Sequence, residues 1–374
     1  PLLYQPPSQT QFMSTKQPPV ADRRPYRHSY HGVELEDPYF WLQDPGYPQV
    51  EDSDVLGYLN EENDYFESWY EPHKTLTQTL FEELKARKPE QDESVPYDKN
   101  GYRYQWRFNA GDQYRVWLRQ STIDTSNVWE TLLNENSLAE GCEYFRLGAL
   151  AVSPDGTKLA YSTDTNGSER FILQVIEIAS GNALTTPIEN CAGSVVWNAD
   201  SDGFAYRLVN ENWRPDKALY RSLLGGDDAL LYQEEDDAFF VGLGLSQSEQ
   251  LMFITSGDHV TSEVRFVPRA NLLAEQELIQ GRREGHEYDV EHQGDSAETG
   301  RLIIRSNRNH PNFDLFETPM ASTEEASWQM LLPGNANHYL MGHVAFADAL
   351  VVCLRINGLD QIKIVSGDDS HIIE

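Results

Sequence analysis

The spacing of apolar residues changes at Pro89. Upstream of it, apolar side chains recur every three or four positions, which predicts a pair of helices within residues 50–88. Pro72 is expected to end the first helix or to follow it closely, because proline breaks a helix interior. Thr75, with Gln78 three residues later, has the pattern of a capping box at the start of the second helix. The apolar positions are Val55, Leu56, Leu59, Phe66, Trp69, Leu76, Leu80, Phe81 and Leu84.

Downstream of Pro89 the chain consists of short alternating runs separated by Gly, Asp and Asn, which is typical of β-strands. Residues 102–108 and 114–120 flank a polar turn and predict a hairpin. Residues 150–164 read as a strand, a turn and a strand, with Pro154–Gly156 suited to the turn.

A unit of three or four strands recurs along this half with a period of roughly 45–50 residues, and such a period is typical of a β-propeller. With the hairpin at 102–120, about six such units are present by this reading. A solenoid is the alternative, but it would repeat with a shorter and stricter period. The predicted fold is therefore an all-β propeller with six recognisable blades behind a short helical segment. The first strands of the later units begin near Leu147, Val195, Val241, Tyr288 and Leu340.

Three regions follow from these patterns. Residues 1–27 are rich in Pro, Gln and Ser and predict a flexible arm. Residues 28–90 form the helical N-terminal segment, and residues 91–374 form the propeller. The aromatic run at 39–42 is far shorter than the roughly 20 apolar residues that a membrane span requires, so it must pack against protein.

Charge narrows the set of partners. The 374 residues carry 29 Lys and Arg against 60 Asp and Glu, a formal net charge of −31. Nucleic acid and anionic membranes are excluded as partners by this charge, whereas a basic peptide would be attracted. The alternative is that the acidity reflects a salt-tolerant source.

The cysteines and the N-terminus bear on location. Three Cys lie far apart without a CxxC motif, and no signal peptide is recognisable. Both observations favour a cytoplasmic location, with the periplasm as the alternative.

The sequence contains few motifs that are candidates for catalysis or metal binding. No GxSxG elbow is present: Gly244-Leu245-Ser246 continues as Gln247-Ser248, although a triad assembled from distant residues stays open. His286 and His292 are six positions apart, not at HExxH spacing, so we interpret them as a satisfied polar pair, either at the surface or between blades, and predict no metal. No cofactor is expected.

Two pairs of charged residues are candidates for gating or contacting a substrate in the central channel. Glu169 and Arg170 stand at the entrance to one blade strand, and Glu263 and Arg265 occupy a similar place in another. The alternative is that both are ion pairs that fix blade geometry. Trp213, in a loop between two strands of one blade, is interpreted as loop packing, with a functional contact as the alternative.

Specific stretches give the chain a resemblance to the prolyl oligopeptidase family of serine peptidases, most similar to its oligopeptidase B (protease II) branch. The resemblance covers essentially residues 26–374. The stretches are DPYFWLQD (37–44), VLGYLNEENDYFE (55–67), VPYDKNGYRYQWRF (95–108), SPDGTKLAYSTDTNGSERF (153–171), TSEVRFVP (261–268) and GHEYDVEHQGD (285–295).

The resemblance implies a two-domain parent enzyme. A seven-bladed propeller would cap an α/β-hydrolase domain that carries a Ser-Asp-His triad. The hydrolase domain and the last blade would lie outside this chain, so no catalytic residue is assigned here and the chain alone is expected to be inactive. The N-terminal segment would pack on the hydrolase domain, burying Phe40 and Trp41. The alternative is local packing on Leu59, Phe66 and Trp69.

The predicted function is the non-catalytic N-terminal and propeller portion of a serine endopeptidase that hydrolyses short peptides after Arg or Lys, with the propeller gating substrate size. Its partners would be short basic peptides and the hydrolase domain. One rival is a truncated, non-enzymatic propeller that binds peptides or proteins. Another is an enzyme that works from its own channel, which would require several carboxylates or His to converge there.

Overall fold

The computed structural model describes residues 17–123, 128–367 and 369–373. Most of the arm predicted for residues 1–27 lies outside these ranges. The chain divides into two compact units between Glu90 and Gln91, here called the N-terminal unit and the propeller unit. None of the described helices is long and apolar enough to cross a membrane.

The N-terminal unit contains a hairpin followed by two helices. The hairpin turns at His31 and Gly32, which both have positive φ angles, as a tight two-residue turn requires. The side chain of Asp52 caps the first helix by accepting hydrogen bonds from the N–H groups of Asp54 at 2.8 Å and Val55 at 3.2 Å. The elements are β1 (Arg27–Tyr30), β2 (Val33–Glu36), a 3-10 turn (Phe40–Leu42), α1 (Ser53–Tyr70), a second 3-10 turn (Glu71–His73) and α2 (Lys74–Lys85).

The two predicted helices are confirmed, but the predicted capping box is wrong. α2 begins at Lys74, and Thr75 lies within its first turn, where its carbonyl accepts a hydrogen bond from the Thr79 hydroxyl. The chain is already helical through the preceding 3-10 turn, and the Lys74 N–H donates to the Glu71 carbonyl. A helix that continues from a preceding turn does not need a side-chain cap at this point.

The propeller unit consists of antiparallel strands grouped into six blades within the described residues, which confirms the predicted fold class. Blade 1 contains β3 (Asp92–Glu93), β4 (Tyr97–Lys99), β5 (Tyr102–Phe108), β6 (Val116–Ser121) and β7 (Glu130–Asn134), followed by the short helix α3 (Glu135–Ala139). Blade 2 contains β8 (Arg146–Val152), β9 (Lys158–Asp164) and β10 (Phe171–Glu177). Blade 3 contains β11 (Ile188–Trp197), β12 (Gly203–Val209), β13 (Pro215–Ser222) and β14 (Ala229–Gln233).

The last three blades are each a four-stranded sheet with strands in sequence order. Blade 4 contains β15 (Phe240–Leu245), β16 (Leu251–Gly257), β17 (Ser262–Pro268) and β18 (Glu277–Gln280). Blade 5 contains β19 (Tyr288–Gln293), β20 (Arg301–Ser306), β21 (Asp314–Pro319) and, after a 3-10 turn (Glu325–Ser327), β22 (Gln329–Leu332). Blade 6 contains β23 (His338–Ala345), β24 (Leu350–Ile356), β25 (Leu359–Ser366) and β26 (Asp369–Ile372).

One strand belongs to two blades. The first part of β11 pairs with β10, and its last part pairs with β12, so blades 2 and 3 form one continuous seven-stranded sheet. The register shifts between Cys191 and Val195, where Gly193 has a φ of +75°. A glycine in this left-handed conformation lets the strand bend from one blade into the next.

The core lies between successive blades. Alternating residues on each strand point to opposite faces, so each blade buries side chains against both neighbours. The cluster between blades 4 and 5 is rich in rings, with Phe253, Phe266, Tyr288, Phe316 and Trp328 all buried. The cluster between blades 5 and 6 is mainly aliphatic, and Phe313 is its one buried ring.

Candidate functional site

The Glu169–Arg170 pair lies on a loop that the chain holds rigidly. Asp164, the last residue of β9, accepts backbone N–H bonds from Asn166, Gly167 and Glu169 at 2.8–3.0 Å. Glu169 has a φ of +58° and pairs with Arg146 at 3.2 Å. Both side chains of this pair are more than half exposed, so the Glu169 carboxylate is accessible to solvent.

Arg170 connects this loop to the corresponding loop of blade 3. Its guanidinium donates to the carbonyls of Val209 at 3.4 Å, Asn210 at 2.7 Å and Glu211 at 3.3 Å. It also lies 4.9 Å from the ring centroid of Trp213, a cation–π contact. Arg170 and Trp213, which are distant in sequence, therefore form one contact between the two loops.

Trp213 is exposed but fixed in position. Its side chain is 57% accessible, its φ is +58°, and its indole Nε1–H donates to the Ser168 carbonyl at 2.7 Å. Loop packing, as predicted, is part of its role. These contacts hold the remaining exposed ring surface in one orientation.

Glu263 and Arg265 lie in a different environment. Both are inside β17 rather than before a strand, so they are not equivalent in register to Glu169 and Arg170. Their side chains pair with each other, and the Glu263 carboxylate also accepts the Arg282 backbone N–H at 3.0 Å. Glu263 is buried, and although burial opposes the shift, hydrogen bonds from Arg265 and Arg282 lower its pKa.

Arg282 extends this network to blade 3. Its guanidinium donates to both carboxylate oxygens of Glu234, at 2.6 and 3.2 Å, and covers the ring of Phe239. Burial would raise the pKa of Glu234, but hydrogen bonds from Arg282, Ser256 and Tyr232 lower it to about 2. The network joins the end of β14 to the end of β18, and no sequence pattern connects Glu234 with Arg282, which are 48 positions apart.

The two candidate pairs are thus in blades 2 and 4, and among the described contacts none joins them. Glu169 and Arg170 occupy exposed loops, whereas Glu263 and Arg265 belong to a buried network between blades. Their roles in gating stay predictions.

A second charged group, not foreseen from the sequence, spans blades 1 and 4. Lys99, at the end of β4, forms an ion pair with Glu249, in the turn between β15 and β16. The other carboxylate oxygen of Glu249 pairs with Arg269 at 2.5 Å, and Arg269 Nε donates to the Trp197 carbonyl in blade 3. Lys99 and Arg269 also border a cavity of about 290 Å³ formed by blade 1 and the first strands of blades 2, 3 and 4. This cavity lies at the inner edge of the blades, where a propeller has its channel.

Blades 5 and 6 contribute a further polar cluster. Asp289 on β19 accepts a 2.6 Å bond from Arg305 and lies 3.3 Å from the His343 ring on β23. Glu291, two positions along β19, accepts the Gln247 N–H at 2.9 Å, and burial raises its pKa. Two carboxylates and a histidine therefore converge, but within the described residues no group could hold a metal ion.

His286 and His292 are buried and separately bonded. His286 Nε2 lies 2.8 Å from the Ser306 hydroxyl. His292 Nδ1 lies 2.7 Å from the Ser248 hydroxyl, and its Nε2 lies 2.9 Å from the Thr299 carbonyl oxygen. Both ring nitrogens of His292 are therefore engaged within the chain.

The Ser248–His292 contact does not form a hydrolytic triad. In such a triad a carboxylate orients the imidazole, which must reach the substrate. Here the orienting group is the Thr299 carbonyl, and the His292 side chain has no accessible surface. The pair connects the turn before β16 to β19 and stabilises the contact between blades 4 and 5.

Phe40 and Trp41 contact local residues in the N-terminal unit. Phe40 stacks on Tyr26 with ring centroids 3.8 Å apart. Trp41 donates from Nε1 to the Asp22 carbonyl at 2.8 Å, and the Arg24 guanidinium lies 4.0 Å from its ring. Its ring contact on α1 is Tyr58, at 6.1 Å.

The two helices expose an apolar face, which we call the α1–α2 face. No residue of α2 is buried, and Val55 is the one buried residue of α1. Such a face on short amphipathic helices usually covers a partner surface. The exposed residues are Leu56, Leu59, Phe66, Trp69, Leu76, Leu80, Phe81 and Leu84.

Comparison with known proteins identifies the family. A family model described as the N-terminal β-propeller domain of prolyl oligopeptidase matches residues 18–374. The chain belongs to this family. Protease 2 of Moraxella lacunata is 30% identical to it over 93% of this chain and 50% of the relative. Dipeptidyl aminopeptidase BI of Pseudoxanthomonas mexicana is 30% identical over 96% of this chain and 51% of the relative.

Solved structures agree with this assignment. Oligopeptidase B from Trypanosoma brucei, in a closed form with covalently bound antipain, superposes with a TM-score of 0.81 and 26% identity. Oligopeptidase B from Leishmania major superposes with a TM-score of 0.83 at 24% identity, which supports the fold alone. Each match covers 94% of this chain and 51% of the solved chain.

The resemblance predicted from the sequence is therefore confirmed at the level of the family. The chain matches the N-terminal propeller domain of this family of serine peptidases and spans about half the length of the curated relatives it matches.

Proposed function

We propose that this chain serves as the non-catalytic propeller portion of an oligopeptidase B-like enzyme that hydrolyses short peptides after Arg or Lys. The carrying observation is the family match over residues 18–374, with oligopeptidase B among the solved structures that superpose on the chain. Acyl transfer to a serine supplied by the parent protein would perform the cleavage, with no metal or organic cofactor.

In this proposal the propeller admits short peptides and excludes folded proteins. The exposed Glu169 carboxylate and the fixed Arg170–Trp213 contact would meet the peptide, whereas Glu263 and Arg265 would maintain the blade geometry around it. The net charge of −31 supports attraction of basic peptides.

The α1–α2 face would dock on the hydrolase domain of the parent, together with Phe40 and Trp41. The exposure of its apolar residues supports this assignment, because a stable surface of this kind normally has a partner.

The test compares this chain with the longer parent protein on a fluorogenic peptide that ends in Arg at the cleaved bond. We expect no turnover by the chain, and turnover by the parent that a serine-directed inhibitor abolishes. A matched peptide with Gln in place of Arg should be a poor substrate, and a folded protein should resist cleavage. Turnover by the chain alone, or equal cleavage of the Arg and Gln peptides, would refute the proposal.

A peptide-binding module without catalysis is the second candidate function. The observation that favours it is Trp213, an exposed aromatic side chain already fixed by two loops. Saturable binding of a basic peptide to the isolated chain, lost in Trp213→Ala, would support this candidate.

A further inference from the structure

An apolar cleft of ligand size lies between blades 5 and 6. It has a volume of about 430 Å³, within the range of small-molecule sites. Its floor is formed by Phe313, Leu332, Leu340, Leu354 and Ile356. Phe313, Leu340 and Leu354 are almost fully buried, so this floor is part of the folded core and is preformed.

The composition of the core explains why the cleft exists. The neighbouring cluster, between blades 4 and 5, is packed with aromatic rings, including Tyr288, Phe316 and Trp328. Between blades 5 and 6 the side chains are mainly aliphatic, and Phe313 is the one buried ring. Smaller side chains leave the space unfilled, and unfilled apolar space loses packing energy unless a ligand occupies it.

The rim of the cleft is polar and carries a cation. Lys363 lies on β25, directly opposite Val352 on β24 and Ile372 on β26, so it shares the face that packs toward blade 5. His338, His371 and Ser370 also border the opening.

Lys363 has no ion-pair partner among the described residues, although the chain is strongly acidic. Other basic side chains, such as Arg282, Arg305 and Arg355, do pair with Asp or Glu. An ammonium group beside apolar side chains favours an anionic partner, because a partly desolvated charge is stabilised most by the opposite charge.

We propose that this cleft binds an amphipathic carboxylate, a molecule in which one carboxylate is joined to an aliphatic or aromatic group. The apolar group would occupy the floor between Phe313 and Leu354, and the carboxylate would pair with Lys363 at the rim. This site is separate from the Glu169–Arg170 region in blade 2, and the inference does not depend on the proposed function.

Two sources could supply this chemistry: a fatty acid, or the C-terminal end of a peptide with an apolar last residue. Decanoate represents the first source and N-acetylphenylalanine the second. Decanamide and N-acetylphenylalaninamide are their neutral matches, which keep the apolar group and remove the charge.

The experiment is isothermal titration calorimetry of the chain with these four compounds. Each acid that binds should do so saturably, and at least about tenfold more tightly than its amide, since one ion pair to a partly buried ammonium is expected to provide about this factor. Binding of decanoate alone assigns the fatty-acid source, binding of N-acetylphenylalanine alone assigns the peptide end, and binding of both assigns the shared chemistry.

Variants test the position of the site. Lys363→Met should reduce the affinity for the acid about tenfold and leave that for the amide unchanged, whereas Lys363→Arg should retain the preference for the acid. Ile372→Trp, at the rim, should weaken both by occupying the cleft. Lys217→Met is the matched control, because Lys217 lies on the third strand of blade 3 and has no ion pair within the described residues.

The proposal would be overturned if neither acid gave saturable heat at concentrations up to about 5 mM. A dissociation constant on the order of 5 mM is the weakest that one filled site would give. Equal affinity for the acid and its amide would also overturn the proposal. So would unchanged acid binding by Lys363→Met, provided that circular dichroism shows the variant to be as well folded as the wild type.

Discussion

His292 shows how hydrogen bonds fix the protonation of a buried side chain. The Thr299 carbonyl can only accept a hydrogen bond, so the proton of the neutral ring lies on Nε2, and Nδ1 accepts from the Ser248 hydroxyl. Burial lowers the pKa of His292, against a smaller opposing effect of the Thr299 carbonyl. The folded protein therefore holds this ring neutral.

The sign of the pH dependence follows from this. An unfolded histidine takes up a proton near pH 6.5, whereas folded His292 does so at lower pH. The stabilisation is present in full above about pH 6.5 and is lost as the pH falls below it, because the unfolded chain then binds a proton that the folded chain does not.

We predict that His292→Gln flattens the pH dependence of stability. At pH 7.5 the variant should lose about 1–2 kcal/mol of unfolding free energy, since glutamine replaces the two hydrogen bonds imperfectly. Between pH 7.5 and 5.5 its stability should fall less than that of the wild type. Urea denaturation at both pH values measures this. An identical slope in wild type and His292→Gln would contradict the prediction.

The sequence located this histidine but not its partners. The sequence predicts a satisfied polar pair of His286 and His292, and each ring is hydrogen-bonded, but to serines and a carbonyl rather than to the other histidine. Ser248 is 44 positions from His292, and no periodicity or motif connects them. Contacts of this kind depend on blade packing and follow only from the fold.

At the scale of elements, β11 has a requirement that the other first strands do not share. It must leave blade 2 and enter blade 3 within ten residues, and Gly193, with its positive φ, stands where the register shifts. A side chain there would be strained, because the left-handed conformation is unfavourable for residues with a Cβ atom.

We predict that Gly193→Ala destabilises the protein by about 1–2 kcal/mol. The cost should come from the backbone conformation, since the nearest atoms to the added Cβ are at ordinary contact distance, 3.5 Å or more. Gly244→Ala is the matched control: Gly244 lies on β15, has no positive φ and has no atom within 4 Å of a Cβ. Thermal unfolding of both variants checks this, and equal losses at the two sites would refute the explanation.

Strands were predictable where local patterns determine them. The predicted strands near Leu147, Val241, Tyr288 and Leu340 are present, because alternation of apolar residues follows directly from burial of one strand face. The sharing of β11 was not predictable, since two different partners pair with parts of one continuous apolar run. The Thr75 capping box failed because a capping pattern describes an isolated helix start, and here a turn precedes the helix.

The Glu234–Arg282 pair joins elements from two blades and should contribute its full stabilisation above about pH 4.5. Glu234 has 5% side-chain exposure, and removing its charge leaves Arg282 poorly compensated. We predict that Glu234→Gln loses about 2–3 kcal/mol of unfolding free energy at pH 7. Asp360→Asn, which removes an exposed ion pair with Arg355, should leave stability unchanged within error.

The pH dependence of this pair has a defined direction. The folded pKa of Glu234, about 2, lies below its ordinary value of 4.5, so the stabilisation is present above pH 4.5 and is lost as the pH falls through about 2. The difference between wild type and Glu234→Gln should therefore be constant from pH 7 to 4.5 and shrink below that. A difference that grows on acidification would exclude this account.

At the scale of the whole propeller unit, the family and the blade count could be predicted from the sequence, but the contacts across the blades could not. Blade 1 and blade 4 are separated by two complete blades, yet Lys99 and Glu249 form an ion pair 150 positions apart. Arg269 extends the contact to blade 3 through the Trp197 carbonyl. Three blades therefore meet through charged side chains near the inner edge of the propeller unit.

This arrangement predicts that loss of the Lys99 charge affects blade 1 more than distant blades. Lys99→Met should increase amide hydrogen exchange in Tyr102–Phe108, because the adjacent β4–β5 turn loses its contact with blade 4. The same effect should appear in wild type at high salt, since partly exposed ion pairs are screened. Exchange in blade 6 should be unchanged. Arg355→Met removes an exposed ion pair with Asp360 within blade 6, and it should leave blade 1 unaffected. If Lys99→Met and Arg355→Met changed exchange equally in blade 1, the effect would be one of overall charge, and the contact between blades 1 and 4 would not explain the order of blade 1.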